Sequence, residues 1–140
     1  MSAKSKDKTP KVIDKKRLTN SFKYAFAGIK SAYKDEQNLR IHTTVAILVI
    51  ISGFIFKINY IEFLICLVLI GLVLMAEFFN TAIENLVDLV TLDINPYAKI
   101  AKDTAAAGVL VFTIISAIIG LIIFVPKIIL AIGGIIWKIN

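Results

Sequence analysis

The sequence alternates between three long apolar runs and short polar segments, and this pattern predicts the main helices. A membrane-spanning helix needs roughly 20 mostly apolar residues. The runs predict spans at about 39–57, 60–90 and 103–125. The first run reaches the necessary length only if Asn38 to His42 form the first turn of its helix. We therefore predict an all-α membrane protein with three transmembrane helices.

A basic amphipathic helix is predicted ahead of the first span. Apolar side chains recur there at helical spacing, and lysines take many of the other positions. The apolar positions are Leu18, Phe22, Ala25, Phe26, Ile29 and Tyr33. Such a helix is typical of a segment that lies on a membrane surface. Packing of its apolar side on the protein's own spans is an equally good interpretation.

The predicted membrane domain covers residues 16–125 and has a different kind of segment on each side. Residues 1–15 are polar and lysine-rich, which is typical of disorder. Residues 126–140 are mostly apolar but too few to cross a bilayer. We expect this tail to lie at the membrane interface or to pack on the bundle, with Trp137 at headgroup level.

Composition and charge support a membrane protein and predict its orientation. The chain is 58% hydrophobic, well above a soluble domain, and its formal net charge is +6. Eleven of the 16 Lys and Arg residues lie in the first forty positions, whereas the turn Lys57 to Tyr60 has one. The N-terminus is therefore expected in the cytoplasm, where its basic segment would attract anionic lipid rather than nucleic acid. Cys66 is the single cysteine, which excludes a disulfide framework and a cysteine metal cluster.

A polar stripe follows the second apolar run where that span should leave the membrane. If the helix continues, each residue turns by about 100°, and the stripe contains Glu77, Asn80, Thr81, Glu84 and Asp88. Carboxylates at the edge of the hydrocarbon are costly unless they bind something. The stripe is therefore a candidate functional site at the cytoplasmic boundary.

Two further polar groups are predicted at the same boundary, Glu36 before the first span and Lys102-Asp103 at the start of the third. Paired carboxylates suit Mg²⁺, which usually also binds nucleotide phosphates, and a lysine suits phosphate neutralisation. Glu77 should lie about two turns deeper than Glu84. Glu77 then fits a general base for an alcohol, and Glu84 fits a metal ligand.

Structural roles compete with these functional ones. Interhelical hydrogen bonds and charges that reach toward water could explain the stripe, and we prefer this interpretation for Asp88 and Lys99. Glu36 could simply cap a helix. A lone histidine at an interface, such as His42, is also more often structural than a ligand.

The sequence from Glu77 to Asp88 resembles the E-x-x-N-[ST]-A-I-E-x-x-x-D signature of the bacterial membrane diacylglycerol kinase family. Ala101-Lys102-Asp103, followed by small residues, is similar to the second motif of that family. The stretch Phe22 to Gly28 resembles its surface helix, and Glu36, Asn38, Arg40 and His42 resemble the pattern ahead of its first span. The resemblance covers about residues 17–125.

The resemblance implies a homotrimer whose active sites are shared between neighbouring subunits and which uses MgATP to phosphorylate a lipid hydroxyl. Carried over by position, Glu77 is the general base, and Glu36 and Glu84 hold Mg²⁺ and the nucleotide. Further nucleotide contacts are implied for Arg17, Tyr24, Asn80, Asp93, Ile94, Asn95, Lys102 and Asp103. Asn95 stands where the Gram-negative members have a histidine.

The identity of the lipid rests on Arg40-Ile41-His42, which resembles the Gram-positive branch of the family, whose acceptor is typically undecaprenol. The Gram-negative branch has glutamate at the position of His42 and acts on diacylglycerol. The resemblance therefore implies an undecaprenol kinase of the cytoplasmic membrane, with Glu77, Arg40 and His42 near the lipid. Diacylglycerol is the alternative acceptor. A second alternative is a non-enzymatic oligomeric scaffold or cation pathway lined by the acids, which would not need Lys102-Asp103.

Overall fold

The protein folds into four consecutive α-helices with short connections. A computed structural model describes residues 15–139, and side chains as far as residue 133. The helices are α1 Lys15–Asp35, α2 Gln37–Ile55, α3 Tyr60–Val90 and α4 Pro96–Ile139. Three of them, α2, α3 and α4, are long and apolar enough to cross a membrane. The predicted fold class is therefore confirmed, and the segment expected to be disordered lies outside the described residues except for Lys15.

Helix α3 is the centre of the bundle. Helices α2 and α4 both pack against it, and α1 packs against α2. Two ion pairs fix the antiparallel register of α3 and α4: Glu62 Oε2 lies 3.0 Å from Lys127 Nζ, and Asp88 Oδ1 lies 2.5 Å from Lys102 Nζ. We call the end with Glu62 the hairpin end and the end with Asp88 the acidic end. Helix α2 starts, α3 finishes and α4 starts at the acidic end.

Local caps explain why the connections around α3 are short. Asn59 and Glu62 form a capping box, in which Glu62 N donates to Asn59 Oδ1 at 2.9 Å and Asn59 N donates to Glu62 Oε2 at 2.8 Å. At the other connection, Asn95 Oδ1 accepts from Tyr97 N at 2.8 Å. Pro96 then occupies the first position of α4, where its missing N–H costs nothing.

The junction of α1 and α2 is held by polar contacts over a buried leucine. Arg40 Nη1 donates to the carbonyl oxygens of Tyr33, at 2.8 Å, and Lys34, at 3.1 Å. Tyr33 Oη and Thr43 Oγ1 lie 2.5 Å apart. Leu39 is fully buried beneath them. Arg40 therefore binds the last carbonyl groups of α1, a structural role that sequence reasoning did not assign to it.

We expect Leu39→Ala to destabilise the protein by about 2–5 kcal/mol, because it leaves a cavity where the side chain is completely enclosed. Leu48→Ala is the matched control, since Leu48 is on the same helix and 57% exposed. Thermal unfolding in detergent should show a lower midpoint for Leu39→Ala and little change for Leu48→Ala. Equal shifts for the two variants would contradict the packing described at this junction.

Most of the apolar side of α1 is exposed within a single chain. Leu18, Phe22 and Phe26 are all exposed, and Ala32 is the one buried residue of the helix. Packing on the chain's own spans therefore covers only the end of α1 near Asp35. Contact with a membrane surface or with another subunit would cover the remainder.

Helix α4 continues past the point where the sequence predicts a boundary. It runs through Pro126 and Lys127 to Ile139, whereas we expected a separate tail from residue 126. Proline is tolerated within apolar helices of this kind because neighbouring groups can satisfy the freed carbonyl. Since Lys127 pairs with Glu62 at the hairpin end, the last twelve residues of α4 extend by about 18 Å beyond that pair. The side chain of Trp137 lies outside the described part.

Candidate active site

Glu77 is the most deeply buried acid that the structure describes, and its partner is His42. Glu77 is 1% exposed and lies about three and a half turns from the end of α3. His42 Nε2, from the second turn of α2, lies 3.1 Å from Glu77 Oε1. The other carboxylate oxygen, Oε2, is buried without a hydrogen-bond partner. One carboxylate oxygen therefore contacts the histidine, and the other has no hydrogen-bond partner within the chain.

The next turn of α3 fixes the second predicted acid. Asn80 Nδ2 donates to Glu84 Oε1 at 2.8 Å, and Asn80 Oδ1 is buried without a partner. Thr81 Oγ1 donates to the carbonyl oxygen of Glu77 at 3.0 Å, so its hydroxyl serves the helix rather than the site. The predicted stripe is present as one face of α3, and Asn80 orients Glu84 within it.

Glu36 lies between α1 and α2, at the N-cap position of α2, but its side chain makes no capping hydrogen bond. The structural role considered for it is therefore not used. Glu36 directly precedes α2, and Glu84 lies about two turns beyond Glu77 toward the end of α3. The structure thus places these three acids at the same end of one chain.

The acids do not form a complete metal cage by themselves. Within the described residues, no group of three or more His, Cys, Asp and Glu side chains is placed to hold a metal ion. Mg²⁺ in phosphate-transfer sites is usually held by one or two carboxylates together with substrate oxygens and water. Glu84, and Glu36 at the same end of the chain, offer carboxylate oxygens of the kind that bind Mg²⁺ in that way.

A cavity of ≈ 320 Å³, which we call the loop cavity, lies around the loop between α3 and α4. Its lining includes five of the residues predicted to contact a nucleotide: Asp93, Ile94, Asn95, Lys102 and Asp103. Lys102 is bound to Asp88, and Lys99 forms an ion pair with Asp103 one turn away. The preference for structural roles at Asp88 and Lys99 fits these pairs. The cavity combines two lysines, each paired with an aspartate, with the backbone groups of an open loop, and a lysine that exchanged its carboxylate partner for a phosphate would neutralise its charge.

Five of the ten predicted nucleotide residues do not line this cavity: Glu36, Asn80 and Glu84, which belong to the acid site described above, and Arg17 and Tyr24. Arg17 and Tyr24 lie on the exposed first half of α1 and are absent from the lining of the loop cavity. Asn95 lines it, but its side-chain oxygen caps α4. Arg40 binds the end of α1, as described above, rather than the His42–Glu77 pair.

Sequence reasoning missed two hydroxyl groups of α4. Thr113 Oγ1 and Ser116 Oγ are buried without hydrogen-bond partners. Both residues line an apolar groove between α2 and α4, which His42 also lines. Their signal in the sequence is that they are polar residues inside the apolar run 109–125. They were not singled out because the whole run was interpreted as a hydrophobic span.

These features define an integral membrane protein with a buried acid–histidine pair in a three-span bundle and a charged loop cavity at the end of the bundle where Asp88 and Lys102 pair. Such a site can combine proton acceptance from a membrane-embedded group with binding of a phosphorylated, water-soluble one.

Comparison with known proteins identifies the family. Residues 23–124 match the prokaryotic diacylglycerol kinase family. The chain is 46% identical over 111 residues to undecaprenol kinase of Bacillus subtilis, covering 79% of this chain and 90% of that protein. It is 37% identical to diacylglycerol kinase of Synechocystis, covering 78% and 63% of the two chains. It is 31% identical to diacylglycerol kinase of Haemophilus influenzae, covering 73% and 86%.

The chain therefore belongs to the prokaryotic diacylglycerol kinase family, and it is a membrane lipid kinase. The predicted family is confirmed. The alternative of a non-enzymatic scaffold or cation pathway is set aside by this membership.

Proposed function

We propose that this protein transfers the γ-phosphoryl group of ATP to the hydroxyl of undecaprenol, with Mg²⁺ as the metal. The relative from Bacillus subtilis, 46% identical, supports undecaprenol over diacylglycerol as the acceptor. The His42–Glu77 contact is the observation that supports the chemistry, because it holds a buried carboxylate whose second oxygen has no hydrogen-bond partner. The basic N-terminal segment supports a cytoplasmic-membrane location with the acidic end in the cytoplasm.

Glu77 acts on the acceptor. In this proposal the lipid hydroxyl donates its proton to Glu77 Oε2, the oxygen left without a partner, while its own oxygen forms a bond to the γ-phosphorus. The bond between the γ-phosphorus and the bridging oxygen breaks, and ADP leaves. His42 keeps the carboxylate in one orientation through Oε1. Because the site only has to align the two reactants and neutralise charge, most of the rate enhancement comes from positioning.

The donor binds at the loop cavity and the acid stripe. Lys102, now paired with Asp88, would exchange that partner for phosphate oxygens. Glu36 and Glu84 would hold Mg²⁺, with Asn80 orienting Glu84. When bound, the ion neutralises phosphate charge and orients the transferred group. Asp93, Ile94, Asn95 and Asp103 complete the predicted nucleotide contacts at the loop.

We also propose that the working unit is a homotrimer with active sites shared between subunits. Two features of the single chain support a shared site. Arg17 and Tyr24 are away from the loop cavity, which is lined by five of the other predicted nucleotide residues. The apolar side of α1, including Phe22 and Phe26, is exposed. A neighbouring subunit could bring α1 to the cavity and cover that side.

The direct test is to incubate the purified protein with γ-labelled ATP, Mg²⁺ and a panel of lipid alcohols in detergent micelles. We expect label in undecaprenyl phosphate, with diacylglycerol phosphorylated more slowly. A faster reaction with diacylglycerol would replace undecaprenol by the alternative acceptor. Label in neither lipid, with ATP bound normally, would contradict the proposed function.

Removal of the histidine partner should separate positioning from folding. We expect His42→Leu to lower kcat by roughly ten- to a hundredfold, since a buried charge-assisted hydrogen bond is worth about 1.5–3 kcal/mol. His42→Gln keeps an N–H donor of similar reach and should recover most of the rate. The measurement is steady-state kinetics of both variants, with the KM for ATP as the internal control. Equal losses for Leu and Gln would show that donation to Glu77 is not what His42 contributes.

A further inference from the structure

An apolar groove runs between α2 and α4, with α3 as its floor. Its cavity volume is ≈ 450 Å³. His42 lines it toward the acidic end, Gly120 and Phe124 line it farther along α4, and Ile128 lines it at the hairpin end. Neither the chemical step proposed above nor the family motifs account for this groove. His42, at the end of the groove nearer the acidic end, is the residue that contacts Glu77, so the groove adjoins the proposed site of proton transfer.

Two hydroxyl groups interrupt the apolar lining. Thr113 and Ser116 both line the groove, and their side-chain oxygens are buried without a partner. Serine and threonine in helices commonly donate to the carbonyl four residues earlier. Thr43, Thr44, Thr81 and Thr104 do so in this protein. Thr113 and Ser116 do not, which leaves two buried hydroxyls available to something that enters the groove.

The register of the bundle places these hydroxyls at the depth of the catalytic acid. Helices α3 and α4 are antiparallel, and they pair Asp88 with Lys102 and Glu62 with Lys127. Thr113 therefore lies at about the level of Glu77, with Ser116 less than one turn farther toward the hairpin end. Glu77 Oε2 and Asn80 Oδ1, the other unpartnered buried atoms among the described residues, belong to the same level of the bundle.

We infer that this groove binds the acceptor lipid, with Thr113 and Ser116 hydrogen-bonding its hydroxyl beside Glu77 and with the apolar length receiving a single hydrocarbon chain. This inference rests on the proposed function and names the binding site of its acceptor. A hydroxyl both donates and accepts, so an alcohol can satisfy the two side-chain hydroxyls and still donate to a carboxylate. A hydrocarbon chain matches the remaining lining.

The dimensions of the groove favour one long chain over two short ones. From the level of Thr113 to Ile128 the groove extends along α4 for about 22 Å. One leaflet contributes only about half of a hydrocarbon core that is roughly 30 Å thick. A chain that fills the groove therefore passes the middle of the bilayer, as a long polyprenol can. Diacylglycerol would place one of its two chains in the groove and leave the other in the surrounding lipid.

The hydroxyl contacts are tested with Thr113→Val and Ser116→Ala, which remove the polar group and keep most of the volume. We expect each to raise the KM for the lipid alcohol about five- to tenfold, the effect of one lost hydrogen bond, with the KM for ATP unchanged. Thr113→Ser should restore the wild-type KM. Thr44→Val is the matched control, because the Thr44 hydroxyl donates to the Arg40 carbonyl and lies outside the groove. An unchanged lipid KM in both variants would overturn the assignment.

The chain-binding part is tested by filling the groove. A Cβ atom at Gly120 meets nothing within 4 Å, so Gly120→Leu can be built without a clash and should block the groove about 10 Å from Thr113. We expect the rate with undecaprenol to fall at least tenfold relative to the rate with geraniol, a two-isoprene alcohol short enough to stay above the block. Gly71→Leu, at about the same depth but outside the groove, should leave this ratio unchanged.

The ratio of the two rates within one variant is insensitive to partial misfolding. If Gly120→Leu proves unstable, Ala117→Val fills the same groove by a smaller volume, and a smaller shift of the ratio in the same direction is expected. Equal loss with both alcohols, in either variant, would overturn the inference and point to another copy of the chain in the groove. Failure of the proposed function looks different, because wild-type protein would then phosphorylate no alcohol.

Discussion

Glu77→Gln should lower kcat by two to four orders of magnitude, the range expected when a general base is removed. Glutamine has nearly the same shape and can still contact His42, so the fold and the nucleotide site should be preserved. It cannot accept the proton of the lipid hydroxyl through Oε2. The measurement is the rate of lipid phosphorylation at saturating MgATP, together with direct binding of ATP, which should remain within about threefold of wild type.

Glu62→Gln provides a matched control for this substitution. Glu62 lies on the same helix, at the hairpin end, and glutamine can keep the capping box with Asn59. Loss of the ion pair with Lys127 should affect stability slightly and activity hardly at all. A near-normal rate for Glu77→Gln would remove Glu77 from the role of base. Equal losses in both variants would point to structural damage instead.

The sequence was sufficient for the helices because hydrophobic length is a strong signal in a membrane protein. The prediction that Asn38 to His42 form the first turn of their span is confirmed, since α2 begins at Gln37. The end of the last helix could not be predicted in the same way. Pro126 normally indicates a boundary, but α4 continues through it because both flanking segments are apolar and helical on their own account.

The candidate site was only partly predictable from the sequence. The positions of its residues on each helix could be predicted, but the residues that they contact on other helices could not. The stripe from Glu77 to Asp88 follows from helical spacing alone, but the contact between Glu77 and His42 depends on how α2 packs on α3. Periodicity does not give that register. For the same reason the sequence could not show that Arg40 binds the end of α1 or that Asp88 pairs with Lys102. Thr113 and Ser116 were missed because isolated hydroxyls in an apolar run carry almost no signal.

The proposed binding sites separate the two reactants by solubility. The loop cavity at the acidic end has the ion pairs and open backbone that suit a charged nucleotide, whereas the groove between α2 and α4 is apolar. Along α3, Glu77 lies between the residues that line the groove, as far as Leu74, and those that line the cavity, from Val87 onward. A transfer between a water-soluble donor and a membrane-soluble acceptor needs such a boundary, because neither reactant can enter the medium of the other without a large desolvation cost.

The metal role of Glu84 gives the second large expected effect. Substitutions of groups that merely orient a metal ligand typically cost 10- to 100-fold in metal affinity. Glu84→Gln should therefore lower the affinity for Mg²⁺ by at least as much. The expected result is a magnesium titration of lipid phosphorylation whose midpoint moves upward, with part of the lost rate recovered at high Mg²⁺. Glu77→Gln should not recover in this way, because its defect lies in proton acceptance.

Asn80 allows the same assignment to be checked through a neighbour. Its amide group donates to Glu84 Oε1 at 2.8 Å, so Asn80→Ala should move the magnesium midpoint in the same direction by a smaller factor. Asn85→Ala is the control on the same helix, since the Asn85 side chain donates to the Thr81 carbonyl rather than to an acid. If the titration is unchanged in Glu84→Gln, the carboxylate is not a metal ligand, and Asn80 and Glu84 form a structural pair on the surface of α3. A shift in Glu84→Gln and Asn80→Ala but not in Asn85→Ala would place the ion at this turn of α3, two turns from the base and beside the loop that receives the nucleotide.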